Sequence, residues 1–231
     1  LLVREASRLG ADIRQHEQVT GWKADGSGVT VTTTRETFYA DRLVITAGPW
    51  AGDLIPELVP KLNVTRQLVA WFYPRRPVDF VPERFPCWLV DQQETGSVFY
   101  GMPMLPPERF GGPYGLKISL HNRGKVCHPD QADRHARPEE FDKMRADAER
   151  FMPGATEKLL NMKVCLYTYS PDEHFIIDKL PESGDRVSFA AGFSGHGFKF
   201  LPVIGEILSD LAIRGKTSRP AEFLSLARFR K

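Results

Sequence analysis

The hydrophobic positions near the start of the chain follow a helical period and then a strand period. The pattern predicts a helix with Leu1, Leu2, Ala6 and Leu9 on one face, and Gly10 is a stop signal for that helix. β-Branched residues then alternate with others on both sides of a Gly-containing turn at 25–28, which is typical of a hairpin. The strands predicted here cover residues 11–14, 19–22 and 29–34.

A short apolar run follows at residues 40–45 and ends in Thr46, Ala47 and Gly48. A run of this length that closes on a Gly turn is typical of a buried parallel strand whose C-terminal end faces a ligand. We therefore predict a central parallel strand at this point of the chain.

Aromatic, proline and β-branched residues dominate residues 63–125, which predicts an antiparallel sheet with strands at 66–73 and 116–120. A helix is expected at 138–152, because Pro138 suits a first helical turn and apolar residues then recur on one face. No internal repeat or low-complexity tract interrupts this pattern.

The C-terminal part of the chain returns to strands and one helix. We predict strands at 163–168 and 186–191, and a helix that starts at about Pro202 and ends at Gly215. Between the second strand and the helix lies the Gly-rich run 192–200, Gly-Phe-Ser-Gly-His-Gly-Phe-Lys-Phe. The elements together predict a mixed α/β (α+β) fold.

Composition and charge narrow the function. The chain has 231 residues, of which 42% are hydrophobic and 26% are charged, as in an ordinary soluble globular protein. A net charge of +2 with scattered basic residues gives no indication of nucleic acid binding, and no apolar stretch is long enough to span a membrane. Three cysteines without paired spacing suit a reducing compartment, so we expect a cytoplasmic protein.

The Gly-rich run has the chemistry of an anion site. Its glycines let the backbone approach a ligand closely, and the helix that follows directs the positive end of its dipole toward the same region. Lys199 adds a full positive charge. On this evidence alone Lys199 fits either an anion site or a solvated loop.

Three motifs, in this order, resemble one family. They are Lys-Val-Cys-Leu-Tyr-Thr at 163–168, Asp-Glu-His-Phe-Ile-Ile-Asp at 172–178 and the Gly-rich run 192–200. The chain is similar to the monomeric sarcosine oxidase and N-methyltryptophan oxidase group, flavin-dependent amine oxidases of the D-amino-acid-oxidase superfamily. The resemblance extends over roughly residues 1 to 225 and is most specific between 163 and 205.

The resemblance implies a division of the chain into domains. Residues 1–62 would form part of a dinucleotide-binding-type FAD domain, 63–162 a substrate domain with a mixed or antiparallel sheet flanked by helices, and 163–231 a return to the FAD domain. The Gly-x-Gly-x-x-Gly motif that holds the ADP half of FAD is absent, and the chain opens within a helix. We therefore expect the C-terminal part of a longer flavoenzyme.

Cys165 is the residue to which the resemblance gives the most specific role. In the family, the cysteine at this position forms a thioether with the 8α-methyl group of FAD, so FAD is the expected cofactor and is expected to be covalent. From its spacing alone Cys165 fits a buried structural thiol better, since that is the commoner role of a free cysteine. Cys87 and Cys127 keep that structural interpretation.

The remaining catalytic candidates lie on predicted strands. Strand alternation places Lys117 and His121 on one face of their strand. The resemblance implies that Lys117 promotes reaction with O₂ and that His121 lines the substrate site, whereas the residues alone fit a solvated sheet face. Tyr100 and Tyr167 match aromatic positions of the substrate pocket, and Lys199 matches the lysine that holds the substrate carboxylate. The catalytic set predicted is Lys117, His121, Tyr167 and Lys199, and the substrate set is Tyr100, Tyr167 and Lys199.

Backbone and loop residues complete the cofactor set that the resemblance implies. Besides Cys165, the residues expected at the flavin are Thr46, Ala47, Gly48, Gly195, His196, Gly197, Phe198 and Lys199. We expect no metal, because the acidic and histidine residues at 172–178 lack a second ligand cluster at metal spacing. Asp178 is interpreted as a structural turn acid.

The function expected from the resemblance is an FAD-dependent oxidase of secondary, N-methyl or cyclic, amino acids, which forms an imine and reduces O₂ to H₂O₂. Sarcosine, N-methyltryptophan, pipecolate and fructosyl amino acids are all candidate substrates. We expect a monomer whose partners are the amino acid and O₂. The alternatives are a non-catalytic fragment that binds an anionic small molecule without FAD and a dehydrogenase relative that passes electrons to a partner instead of O₂; Lys117 argues against the second.

Overall fold

The computed structural model of the protein describes residues 2–94 and 96–229. Within those residues the strands are β1 Val19–Ala24, β2 Val29–Thr33, β3 Thr37–Ala40, β4 Leu43–Ile45, β5 Asn63–Tyr73, β6 Trp88–Gln92, β7 Ser97–Met102, β8 Leu116–Leu120, β9 Lys158–Tyr169, β10 Ile176–Lys179 and β11 Val187–Ala191. The α-helices there are α1 Leu2–Arg8, α2 Ala51–Leu54, α3 Pro107–Phe110, α4 Asp142–Phe151 and α5 Leu201–Arg214. The mixed α/β fold class is confirmed.

The chain divides into two compact units. The first unit contains residues up to 61, residues 174–192 and residues from 197 onward, and the second contains 62–173 and 193–196. The chain returns to the first unit at His174, because β9 stays hydrogen-bonded to β5 as far as Tyr169. The assignment of one unit to the cofactor and the other to the substrate stays a prediction.

The first unit contains two small sheets. β1, β2 and β3 form an antiparallel meander, as predicted for the hairpin, and the Trp22 indole N–H donates to the carbonyl of Leu54 at 2.7 Å. The other sheet has the order β10, β11, β4, with β4 parallel to β11. β4 therefore has the predicted parallel pairing. Its predicted central position is wrong, because β4 is an edge strand of this sheet among the described strands.

The predicted strand at residues 11–14 does not form. This segment is exposed, and its charged side chains are used locally: the Arg14 guanidinium donates to Asp12 at 2.8 Å and also bonds to Glu36. Period-two alternation over only four residues carries too little apolar surface to hold a strand against a sheet.

α5 confirms the predicted C-terminal helix. Pro202 lies in its first turn, where its missing N–H costs no hydrogen bond, and Ile204, Ile207 and Leu208 are buried. Gly215 ends the helix in the left-handed conformation at φ 71°, and its N–H donates to the carbonyl of Leu211 at 3.1 Å.

The second unit is built on a five-stranded sheet in the order β6, β7, β8, β5, β9, and every neighbouring pair is antiparallel. This is the antiparallel sheet that the sequence predicts. The longest pairing joins β5 to β9 from Asn63 opposite Tyr169 to Tyr73 opposite Lys158, with a register shift next to Trp71.

One face of this sheet forms the core of the second unit with α4. The predicted helix begins with a 3₁₀ turn at Pro138–Phe141 and continues as α4, which buries Met144 and Ala148. Burial of each large apolar side chain contributes about 1.5–3 kcal/mol of transfer free energy. The buried core residues are Ala70, Phe72, Phe99, Met104, Leu116, Ile118, Phe141, Met144, Ala148 and Ala155.

No helix within the described residues has both the length and the apolar character that crossing a bilayer requires.

Glu149 of α4 holds the loop that leads into β9. Its carboxylate accepts hydrogen bonds from the N–H groups of Gly154 at 2.7 Å and Thr156 at 2.8 Å, and from the Thr156 hydroxyl. Burial acts to raise the pKa of Glu149, but the Thr156 and Gly154 hydrogen bonds outweigh it and hold the pKa below its ordinary value. The charged carboxylate therefore stabilises the folded loop.

We predict that Glu149→Gln lowers the free energy of unfolding by about 1–2 kcal/mol near neutral pH, because the amide cannot accept all three hydrogen bonds. A lowered folded pKa stabilises the protein above the ordinary Glu pKa of about 4.3, and this stabilisation is lost as pH falls through the lowered value. Urea unfolding at several acidic pH values should therefore show a flatter pH dependence for the variant. Glu108→Gln, at an exposed position of α3, is the control; equal slopes for wild type and Glu149→Gln would contradict the prediction.

Candidate functional site

The face of the five-stranded sheet opposite α4 carries the polar candidates of the second unit. Successive side chains point to opposite faces, so the register decides which residues meet. Ser119 lies opposite both Tyr100 and Val69, Lys117 lies opposite Trp71, and Gln67 lies opposite Cys165. We call this surface the site face; its residues used below are Gln67, Trp71, Tyr100, Lys117, His121, Lys163, Cys165 and Tyr167.

An aromatic cluster occupies one end of the site face. The hydroxyl groups of Tyr100 and Tyr167 lie 2.9 Å apart and share a hydrogen bond. The His121 ring lies 6.0 Å from the Tyr100 ring and 5.7 Å from the Tyr167 ring, between centroids. Lys117 Nζ lies 5.4 Å from the centroid of the Tyr100 ring. The cluster therefore brings together four predicted site residues: Tyr100 of β7, Lys117 of β8, His121 just after β8, and Tyr167 of β9.

The phenol of Tyr167 stays neutral over the physiological pH range. Burial of the side chain, which is 9% exposed, raises the pKa of Tyr167 strongly, and the hydrogen bond with Tyr100 raises it further. Burial also raises the pKa of the neighbouring Tyr169, whose hydroxyl donates to the carbonyl of His121 at 3.3 Å. A neutral phenol can donate a hydrogen bond to a bound anion, and its ring can pack against an alkyl group.

Cys165 is exposed on the same face. The alternative of a buried structural thiol is therefore wrong. Its cross-strand neighbour Gln67 is 4% exposed and donates through Nε2 to the carbonyl of Asn122 at 3.0 Å and to Thr65 Oγ1 at 3.2 Å. An exposed thiol can react with a ligand that lies on the face.

Sequence reasoning missed several residues around these candidates. Gln67 and Trp71 lie in the predicted strand 66–73, and only the register of β5 reveals that they belong to the site face. Lys163 Nζ lies 6.0 Å from the centroid of the Trp71 ring. The alternation of Lys163, Cys165 and Tyr167 along one strand is the signal that could have placed Lys163 on this face.

Residues 193–196 lie against the aromatic cluster. Gly195 has φ 80°, and a Cβ atom placed there would lie 2.3 Å from Tyr167 Cε2. The neighbouring Ser194 is 1% exposed, and its N–H donates to the carbonyl of Thr168 at 2.9 Å. His196 Nε2 lies 3.3 Å from the carbonyl oxygen of Glu173. The structure thus places Gly195 on Tyr167 and His196 on the backbone that precedes β10.

The other predicted cofactor residues belong to the first unit. Thr46 follows β4 and is exposed; Ala47 and Gly48 begin a 3₁₀ turn, where Gly48 has φ 55°. Lys199 lies in the 3₁₀ turn Phe198–Phe200 immediately before α5, and its Nζ is 4.9 Å from the centroid of the Phe200 ring. The Phe198 side chain is 88% exposed, and Gly197 precedes it in a right-handed helical conformation. The roles of these residues stay predictions.

The acidic residues of the second motif make structural contacts. Asp178 accepts hydrogen bonds from the Ser225 hydroxyl at 2.6 Å and the Leu226 N–H at 2.9 Å, so it fixes the C-terminal segment of the first unit. Glu173 pairs with Arg123 at 2.7 Å in the second unit. These contacts are those of structural acids.

The chain belongs to the family of FAD dependent oxidoreductases, which its residues 1–211 match. It is similar to the monomeric sarcosine oxidase of Streptomyces avermitilis, with 38% identity over 216 residues that make up 93% of this chain and 55% of that enzyme. A monomeric sarcosine oxidase of Bacillus sp. is 37% identical over 228 residues, 96% of this chain and 56% of that enzyme. The N-methyl-L-tryptophan oxidase of Escherichia coli O139:H28 is 35% identical over 217 residues, 91% of this chain and 54% of that enzyme.

Solved structures agree with this assignment. The open form of NikD, an unusual amino acid oxidase essential for nikkomycin biosynthesis, superposes with a TM-score of 0.80 at 25% identity and covers 97% of this chain and 57% of that chain. L-Proline dehydrogenase from P. horikoshii shares the fold, with a TM-score of 0.76 at 20% identity over 98% of this chain and 56% of that chain. The chain spans about half the length of the curated relatives it matches.

We predict that the Tyr100–Tyr167 hydrogen bond contributes about 1 kcal/mol to stability, because each hydroxyl would otherwise lose its partner in a partly buried place. In a double-mutant cycle of Tyr100→Phe and Tyr167→Phe, the double variant should lose less stability than the sum of the single variants, as measured by urea unfolding. Tyr114→Phe, at a side chain that is 42% exposed, should change little. Strict additivity of the two substitutions would contradict the prediction.

Proposed function

We propose that the protein is an FAD-dependent oxidase of secondary amino acids, N-methylated or cyclic. The observation that carries the proposal is the site face. It has an exposed Cys165 thiol on the same strand face as the neutral Tyr167 phenol, with His121 beside the Tyr167 ring and Lys117 beside the Tyr100 ring. Family membership and the sarcosine and N-methyltryptophan oxidase relatives support it.

The residues of the site face fit a flat aromatic cofactor. Cys165 presents an exposed thiol on the face that carries the Tyr100 and Tyr167 rings. When bound, FAD supplies two-electron oxidation of the carbon–nitrogen bond and transfer of those electrons to O₂. Cys165 would hold it covalently, and the backbone of Thr46, Ala47, Gly48, Gly197 and Phe198 stays the predicted source of further contacts.

The second unit can orient an amine substrate. The ring faces of Tyr100 and Tyr167 suit an N-methyl or methylene group, and the phenols can donate hydrogen bonds to a carboxylate. Lys199 stays the predicted partner of that carboxylate. The substrate amine must be neutral to lose its electrons, and the nearby ammonium of Lys117 disfavours a second positive charge.

The proposed reaction transfers two electrons from the substrate to O₂. The substrate loses two hydrogens as its C–N bond becomes a C=N bond, O₂ gains both electrons and two protons to become H₂O₂, and water hydrolyses the imine to an amine and a carbonyl compound. The Lys117 ammonium would stabilise the negative charge that develops on O₂ during this step, because it is already held over the Tyr100 ring.

We further propose that the protein acts as a cytoplasmic monomer.

The covalent flavin is tested on the whole protein by acid precipitation, followed by mass analysis of the peptide that contains Cys165. We expect a yellow pellet and a peptide mass raised by one FAD; Cys165→Ser should release the flavin into the supernatant, because a hydroxyl is a far weaker nucleophile than a thiolate. Cys87→Ser changes the other exposed cysteine and should keep the flavin bound. Flavin in the supernatant of the wild type would refute covalent attachment, and no flavin in either fraction would favour an anion-binding fragment.

The role of Lys117 is tested by stopped-flow kinetics, which separates reduction by sarcosine from reoxidation by O₂. We predict that Lys117→Met slows reoxidation by roughly 100-fold, the usual effect of removing one fixed group that stabilises developing charge. Reduction should change much less. Lys163→Met removes another lysine of the site face and should leave reoxidation unchanged. An unchanged reoxidation rate in Lys117→Met would favour a dehydrogenase that passes electrons to a protein partner.

A further inference from the structure

Tyr167 is held in place by residues 193–196, a segment in which Ser194 has no predicted site role. Its ring packs on Gly195, where even one Cβ atom would approach to 2.3 Å from Cε2, 2.5 Å from Cδ2 and 2.7 Å from Cζ. A contact this short is far inside the ordinary carbon–carbon distance. Only glycine at this position lets the ring stay where its hydroxyl reaches Tyr100.

The path of the segment is set one residue earlier. Ser194 has φ 48°, a left-handed conformation that is uncommon for a residue with a Cβ atom. Two hydrogen bonds hold it there: its N–H donates to the carbonyl of Thr168 at 2.9 Å, and its Oγ accepts from the N–H of Ser170 at 3.3 Å. Both partners follow Tyr167 closely in the chain, so Ser194 ties the segment to the end of β9.

A further bridge strengthens the attachment. Phe193 pairs with Tyr169 as an isolated antiparallel β-bridge, so the segment is attached to the end of β9 just before Ser194 and Gly195. Non-glycine residues with strained backbones persist where the surrounding structure fixes them, and such residues concentrate at functional sites.

We propose that Ser194 is a positioning residue for the oxidase reaction and that, through Gly195, it fixes the Tyr167 ring in the orientation that presents its hydroxyl to Tyr100 and the substrate. This inference rests on the proposed function for its catalytic consequence. Its structural half, the control of the Tyr167 ring, does not depend on that function.

The structural half is tested by fluorine NMR of the whole protein labelled with 3-fluorotyrosine, in which Tyr167→Phe identifies the Tyr167 signal. Gly195→Ala should shift that signal, because the ring must move by about 1 Å to restore an ordinary contact. Ser194→Gly tolerates the same φ and adds no atom, so it isolates the loss of the hydroxyl, and it should shift or broaden the same signal. The Tyr114 signal should stay in place in both variants.

The matched control is Gly184→Ala. Gly184 has φ 61° and open space around its missing Cβ, so its substitution carries the same kind of backbone strain without crowding a ring. The control should leave the Tyr167 signal unchanged. A Tyr167 signal that stays at its wild-type position in both Gly195→Ala and Ser194→Gly would overturn the proposal.

The catalytic half is tested by kcat/KM for sarcosine. Gly195→Ala should lower it by roughly 100-fold, as expected when a site group is displaced by about 1 Å, and Ser194→Gly should lower it by about five- to tenfold. In the Tyr167→Ala background, Gly195→Ala should cost less than about threefold, because no ring remains to be displaced. Equal penalties in both backgrounds would overturn the positioning role.

The experiments separate a failure of the proposed oxidase function from a failure of the positioning role of Ser194. A wild-type protein that does not oxidise any secondary amino acid would refute the proposed function, while the NMR result would still report whether Ser194 and Gly195 control Tyr167. An active wild type whose Tyr167 signal ignores both substitutions would refute only the positioning role.

Discussion

The pairing of β5 with β9 is the constraint on which the second unit depends. It runs the full length of β5, from Asn63 to Tyr73, and shifts register only next to Trp71. Because side chains alternate with a period of two, this register alone puts Cys165 and Tyr167 on the face opposite α4. A slip by one residue would turn Val164, Leu166 and Thr168 toward that face and carry every candidate of β9 into the core.

The two faces of the sheet are stabilised by different interactions. The face against α4 is held by apolar burial, of Phe72 and Phe99 among others. The site face buries polar groups instead, and a buried hydroxyl costs free energy unless it is hydrogen-bonded. The shared hydrogen bond of Tyr100 and Tyr167 meets that requirement, which explains why two phenols from distant parts of the chain can lie together in a mostly buried place.

The sequence predicted the features that depend on the geometry of one strand or one helix. Alternation placed Lys117 and His121 on one face, and Gly215 marked the end of α5, because both follow from the geometry of a single strand or helix. The contact of Tyr100 with Tyr167 joins residues 67 positions apart and depends on four strands finding one register. The left-handed Ser194 carries no local signal, since serine seldom adopts that conformation without tertiary hydrogen bonds. The strand predicted at residues 11–14 is wrong for the opposite reason, because its local pattern has no partner strand to pair with.

The electrostatics of the site face bear on substrate choice. Tyr167 stays a neutral phenol because burial and its partner hydroxyl both oppose ionisation, so the cluster adds no negative charge. Neither Lys117 nor Lys163 has a carboxylate ion-pair partner within the described parts of the chain, whereas Arg123 is paired with Glu173. The positive charges of these two lysines attract a carboxylate and disfavour an ammonium ion. An amino acid in its anionic form, with a neutral amine, satisfies both conditions at once, and this is the form in which the amine can be oxidised.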